Sequence, residues 1–458
     1  MNNPFSHDDV FIAQLKRIEQ QINQNQLQEA AEQLNLLRRT APHDPRLFLL
    51  GSHLASASRN PDGMLEAARK AHSLAPQWPV ATMHLASVQA SRDQVVEAMA
   101  LAEQALAQAS SQTGADIELL AKAASIAQRL YRHESALKWL HQAEKLNPGD
   151  IVIRQQIGRT LSSSGDHVGA IGIFSDLLSQ LPNHPSLLLD RLRACLAANQ
   201  KEQAISDGEA LTALDPQNEE YRFYLAIAQG ETPKTQPASM VQRLFDGSAD
   251  HFDRHLVLLL QYRLPDDVAK MIHQWHPDRK GDVLDLGCGT GLLGACLGST
   301  EGVLVGVDIS VQMIEQAKLR RVYDRFHNVN LLDALQATPD SLYHVITALD
   351  VLNYVGDLSS VIPNAHRILL PGGHFAFSCE LGGNGDGSYA LQSTYRYTHQ
   401  RSYVVQLMQK AGFTDIVLED RVLRKDLGQP VPGFLVTASK PSQAVEKNAR
   451  RTSKKKQA

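Results

Sequence analysis

Five prolines, Pro42, Pro76, Pro148, Pro182 and Pro216, stand in related settings: RTAPHD, SLAPQW, KLNPGD, SQLPNH and ALDPQN. They are separated by 34, 72, 34 and 34 residues. A fixed period of this length confines a chain to stacked copies of one small unit, each burying the apolar side of the next. The long step equals two periods plus about four residues, and QASSQTGAD (108–116) is the expected place of the insertion. From Phe11 to Gly230 the chain is rich in Ala, Leu and Gln, with few β-branched residues and almost no alternation, which predicts helices.

The segments AAEQLNLLRRTAP, EAARKAHSLAP, SALKWLHQAEKLNP, GAIGIFSDLLSQLP and QAISDGEALTALDP are versions of one second helix. A small residue stands near each start, where two helices must cross closely, and apolar residues come after it at three- and four-residue spacing. The proline is expected to open the next unit, since its missing N–H would be unpaired in a first helical turn. This pattern resembles the tetratricopeptide repeat family over residues 8–229, in about six units of which the first and third are degenerate. The resemblance implies an all-α superhelix whose concave surface binds a protein or peptide partner; the alternative is an array that only caps or dimerises the second domain. His53, His72, His84, His133 and His141 show no metal-ligand spacing, so no metal is expected.

GETPKTQPAS, polar and with two prolines, predicts a linker over 230–239. Beyond it, over 240–440, strand and helix alternate. DVLDLG, VLVGVDIS, NVNLLDA (328–334), YHVITALDVLNYV (343–355), GHFAFSCE, DIVLEDRVLR and GFLVTAS read as strands, the last two as an antiparallel hairpin. Such alternation predicts a doubly wound, mostly parallel sheet. Residues 441–458 form a basic tail with Arg450, Arg451, Lys454, Lys455 and Lys456, read as solvated, with a contact to nucleic acid or acidic lipid as the alternative. The four cysteines are too sparse for a disulfide framework. No secretory pattern opens the chain and no apolar run reaches the length of a membrane span, so a cytoplasmic location is expected. With a formal charge of -4, and an acidic, arginine-poor second half, no nucleic-acid groove is traced.

Ligands of open α/β sheets bind at the carboxyl ends of the strands. There, after the first strand of the second half, stands DLGCGTG, with Gly287, Gly289 and Gly291 at alternate positions. Glycines let the chain turn tightly and press backbone against a ligand. The spacing is G-x-G-x-G and departs from the dinucleotide G-x-G-x-x-G. Asp308, ending the second strand, suits two ribose hydroxyls and so a nucleoside, whether of NAD or of another adenosine cofactor. Asp285, just before the glycines, would repel a pyrophosphate and suits a cationic amino-acid moiety.

D-x-G-x-G-x-G, VGVDIS, LLDA and RILLPGGHFAF, in that order over residues 245–440, resemble the class I S-adenosylmethionine-dependent methyltransferases. The resemblance implies a seven-strand Rossmann-like sheet, S-adenosyl-L-methionine as cofactor, and methyl transfer. Carried over by position, Asp285, Gly287, Cys288, Gly289 and Gly291 contact the methionine part, and Asp308 the ribose. Asp333 and Ala334 lie on the adenine side, with Ile309 and Met313 in apolar contact with the base.

Transfer from a sulfonium is an in-line displacement that gains much from positioning. A base is needed only where the nucleophile must lose a proton. At the end of strand four, Asp350 is expected to favour the sulfur or fix the acceptor, and Asn353 to hold it; Tyr354 is read as either structural or functional. In YRYTHQRSYV, His399 is the candidate base, with substrate orientation or simple hydrogen bonding as alternatives, while Arg396 and Tyr397 would orient the acceptor. Phe252, His255 and Tyr262 suit a lid or a docking face, and the glycine-rich 380–390 either closes over the site or is a tolerant loop. Three readings are open: a methyltransferase whose repeats recruit a protein substrate, a small-molecule methyltransferase whose repeats serve assembly, and a scaffold with an inert methyltransferase fold. The methyl acceptor, oxygen or nitrogen, stays open.

Overall fold

The computed structural model describes residues 9–112, 114–247, 262–382, 387–426 and 429–442. Phe252, His255, the middle of the glycine-rich stretch and nearly all of the basic tail lie outside them. The chain divides into two compact units, 1–214 and 215–458.

The first unit is a series of helix pairs: α1 Asp9–Asn23 with α2 Leu27–Thr40, α3 Pro45–Ala57 with α4 Pro61–Leu74, and α5 Pro79–Ser91 with α6 Val95–Gln112. Next come α7 Ile117–Arg129 with α8 His133–Leu146, α9 Ile151–Ser163 with α10 His167–Gln180, and α11 Pro185–Ala197 with α12 Lys201–Leu214. Between the members of each pair one residue takes a left-handed backbone: Asn25, Arg59, Asp93, Tyr131, Gly165 and Asn199. These repeat at the period of the prolines, with a single step four residues longer. That excess lies in α6, which has 18 residues where α4 and α8 have 14, so the insertion near 108–116 is one added helical turn.

The small residues fall at the helix crossings. Ala30, Ala68, Ala98, Ala136, Ala170 and Ala204 are wholly buried, and a Cβ at Gly158 would lie 2.6 Å from the Phe174 ring. The periodic prolines serve otherwise than expected. Pro76 comes after the C-cap Ala75 of α4, and Pro182 after the C-cap Leu181 of α10, so they end the second helix of a pair. The first helical turns are opened instead by Pro45, Pro79 and Pro185, or by the side-chain caps Asp116 and Asp150.

The second unit holds α13 Glu219–Gln229, α14 Ala238–Asp246, α15 Leu264–Trp275 and a sheet. β3 Arg325–Asn328, β2 Leu304–Asp308, β1 Val283–Leu286, β4 Tyr343–Ala348 and β5 Leu369–Leu381 lie side by side and parallel in that order. β9 Gln429–Ser439 runs antiparallel between β5 and β8 Thr414–Asp426, which completes the expected seven strands and their terminal hairpin. The strand order reverses between β1 and β4. Alternate residues of β1 serve opposite faces. Leu284 and Leu286 join the core with Ile346 and Phe375, whereas Val283 joins that of Val268 and Leu293.

Three details differ from the sequence reading. The third strand ends at Asn328, and LLDA opens a helix, α18 Leu331–Ala337, because the Asn330 side chain caps it by accepting from the Leu332 N–H at 2.8 Å. Tyr397–His399 is a strand, β7, parallel to the end of β5 and paired with β6 Tyr389–Leu391. Residues 230–239, read as a linker, run along the segment after β4. Gln236 N–H donates to the Tyr354 carbonyl, and the Gly356 and Asp357 N–H groups to the Lys234 carbonyl.

Candidate functional site

The carboxyl ends of β1, β2 and β4 meet at the reversal of strand order, where a ligand of such a sheet binds. Gly287, Gly289 and Gly291 all have positive φ, at 67°, 53° and 82°. A Cβ at Gly287 would stand 2.5 Å from Val351 in the segment after β4, so that glycine is required twice over. Gly291 caps α16 Leu292–Leu297. Cys288 turns inward over Gly306 of β2, where burial pushes its thiol up and leaves it inert.

Asp308 ties the turn to β2. Its Oδ2 accepts from the Gly289 N–H and its Oδ1 from the Ser310 N–H, both at 2.8 Å. Asp285 lies beneath the turn, accepting from the Thr347 hydroxyl and the Tyr323 hydroxyl, each at 2.7 Å. Burial pushes both carboxyls up to about 6 against those hydrogen bonds, and for Asp285 the charge of Asp308 adds to the effect. Met313 is wholly buried on α17 Val311–Leu319, Ile309 is half-buried, Ala334 is buried and Asp333 is exposed on the first turn of α18.

Asp350 lies just past β4 at a φ of 54°, and its N–H donates to the Ser378 hydroxyl at 2.7 Å. Its carboxylate shares Arg424 of β8 with Glu380 of β5, and Asn353 Nδ2 donates to Glu380 at 3.1 Å. Two carboxylates thus face one guanidinium that is 3% exposed, while the Asn353 Oδ1 is buried without a bond. Burial pushes the Asp350 carboxyl up, and Arg424 pulls it down. Tyr354 hydrogen-bonds Arg396, whose charge also acts on Asp350, and half-buried Tyr262 lies in the field of Asp350 and Asp285. The structure therefore gathers Asp350, Asn353, Tyr354, Arg396 and Tyr262 beside the glycine turn's neighbouring strand.

Two expected acceptor residues are placed elsewhere. His399 is wholly buried in β7, its Nε2 donating to the Val355 carbonyl at 2.9 Å and the Gly356 carbonyl at 3.1 Å. Burial lowers it to about 4, so it stays neutral and holds the segment after β4 instead of serving as an open base. Tyr397 is also wholly buried and donates to the Pro233 carbonyl at 2.8 Å, which fixes the stretch before α14.

Sequence reasoning missed Arg424, Glu380 and Tyr323. A charge inside VLEDRVLR was the available signal for Arg424. Leu423 and Arg424 are both buried because the β8–β9 register shifts between Val422 and Arg424, and no pattern of alternation shows that shift.

The pair Asp285 and Asp308 tests which ligand fits. Among the described residues no lysine or arginine is bonded to either, and both are nearly fully buried. Buried carboxylates without a cation suit a positively charged ligand, and they oppose a phosphate.

Residues 284–375 match the family described as "Methyltransferase domain". A ubiquinone biosynthesis O-methyltransferase of Idiomarina loihiensis is 26% identical over 198 residues, 38% of this chain and 81% of that protein. One from Pseudomonas savastanoi is 29% identical over 120 residues, and there this chain spans 51% of the relative's length. The solved structure of PilW, described as a widely conserved type IV pilus biogenesis factor, covers 48% of this chain and 100% of its own at 17% identity, with a TM-score of 0.42.

Proposed function

We propose that the second part of this chain is an S-adenosylmethionine-dependent methyltransferase, joined to a tetratricopeptide-like array, and that it methylates an oxygen or nitrogen acceptor presented with help from the repeats. The observation that carries the reading is the glycine turn locked to Asp308, with Asp285 and Asp308 both buried and bonded to no lysine or arginine among the described residues. When bound, S-adenosylmethionine supplies an electrophilic methyl group on a cationic sulfur.

In this reading the backbone of Gly287, Cys288, Gly289 and Gly291 cradles the amino-acid end, and Asp285 supports it from beneath. Asp308 accepts from the ribose hydroxyls, while Ile309, Met313, Asp333 and Ala334 border the base. Asn353, Tyr354, Arg396 and Tyr262 orient the acceptor. Asp350, held by Arg424, takes its proton where one must leave. The name of the curated relatives supports an oxygen acceptor.

The test uses cofactor labelled on its methyl group, with the protein and an extract of the source cells, counting precipitated protein and soluble products separately. Label in protein, lost in Asp308→Ala, is expected. Label only in a soluble product would reduce the repeats to assembly, and no transfer with no cofactor binding would leave an inert fold.

A further inference from the structure

Asp246 ends α14, and no sequence pattern gives it a purpose. Its position is unusual in energy as well as place. A carboxylate in the last turn of a helix meets the negative end of the helix dipole, which disfavours it there. Asp246 also stands close enough to Asp308 to raise it by like charge. Its described hydrogen bond is from the Ser310 hydroxyl, at 2.6 Å.

Ser310 connects the two acids. Its N–H donates to Asp308 Oδ1 at 2.8 Å, and its hydroxyl accepts from the Met313 N–H at 3.1 Å while donating to Asp246. The residue before Asp246, Phe245, sets its ring edge-on to Tyr354 after β4, with centroids 5.4 Å apart. Consecutive residues of α14 thus touch the end of β4 and the end of β2. Because β1 lies between those two strands, the end of α14 spans the glycine turn. Arg243, one turn earlier, pairs with Glu220 of α13 and anchors the helix there.

We propose that Asp246 is a second ribose-binding carboxylate of the cofactor site, acting across Ser310 from Asp308 so that one nucleoside diol is held between two acids. The assignment rests on the S-adenosylmethionine reading of that site. Two acids around one diol favour a free ribose and oppose any 2′- or 3′-phosphate.

Calorimetry of the full chain with S-adenosylhomocysteine and with its 2′-deoxy and 3′-deoxy analogues tests this without turnover. The wild type is expected to prefer the ribose form by about tenfold or more, the worth of a hydrogen bond to a charged group. Asp246→Asn keeps the size and can still accept from Ser310, and it is expected to narrow that preference severalfold for one of the two analogues. Ser310→Ala, which releases Asp246, should narrow the same one. Equal weakening of all three ligands in both variants, or no change, would overturn the proposal and give Asp246 a structural role. A wild type that binds none of them would instead remove the cofactor reading itself.

Discussion

At Asp285 and Asp308 the protein carries two acids whose burial favours the protonated form, with values of about 6. A cationic ligand favours the ionised form, so affinity for S-adenosylmethionine should rise as pH increases through about 6 and level off above it. Neutral S-adenosylhomocysteine should show a weaker rise, and calorimetry at several pH values measures both. The sign for stability is opposite. Each folded carboxyl lies above its ordinary value, so the stability that these two acids add is complete below about pH 4 and fades as pH rises to 6. Arg424 poses the other residue-scale case. Arg424→Leu leaves Asp350 and Glu380 facing each other in the interior, and should cost about 3–5 kcal/mol in urea unfolding. Asp308 was legible because a strand-ending acid stands at a local, fixed spacing beyond the glycines. Arg424 was not, since its place depends on a register shift within a hairpin.

The glycine turn is an element whose geometry tolerates little change. Gly287→Ala would force an L residue to a φ of 67° and drive its Cβ into Val351. Backbone strain alone costs about 1–2 kcal/mol and the overlap adds to it. Both thermal stability and cofactor affinity should therefore fall, whereas Gly149→Ala, left-handed but with open space around it, should lower stability alone. The helices were read correctly from composition, yet the roles of their prolines were exchanged. A proline two residues past one helix and three before the next satisfies either rule, and only the observed caps decide. The segment after β4 shows the same limit. His399, Tyr397 and the 230–239 stretch all grip it, through backbone carbonyls that no side-chain motif can announce.

Over the whole molecule, the chain forms two compact units. Residues 215–458 alone should keep S-adenosylmethionine affinity within about twofold, because every residue proposed to hold the cofactor lies in them. Transfer of label into protein, if the repeats recruit the substrate, should fall severalfold when they are removed; unchanged transfer would deny them that role. No helix among the described residues is long and apolar enough to cross a membrane. The repeat period, the extra turn in α6, the alternation of strand and helix and the glycine turn were all written locally, in spacings of a few to a few tens of residues. Folding alone brought Asp350 to Arg424 across 74 positions and Asp246 to Ser310 across 64. Such contacts have no local signature, because they depend on strand order, register and the seat of one helix upon a sheet.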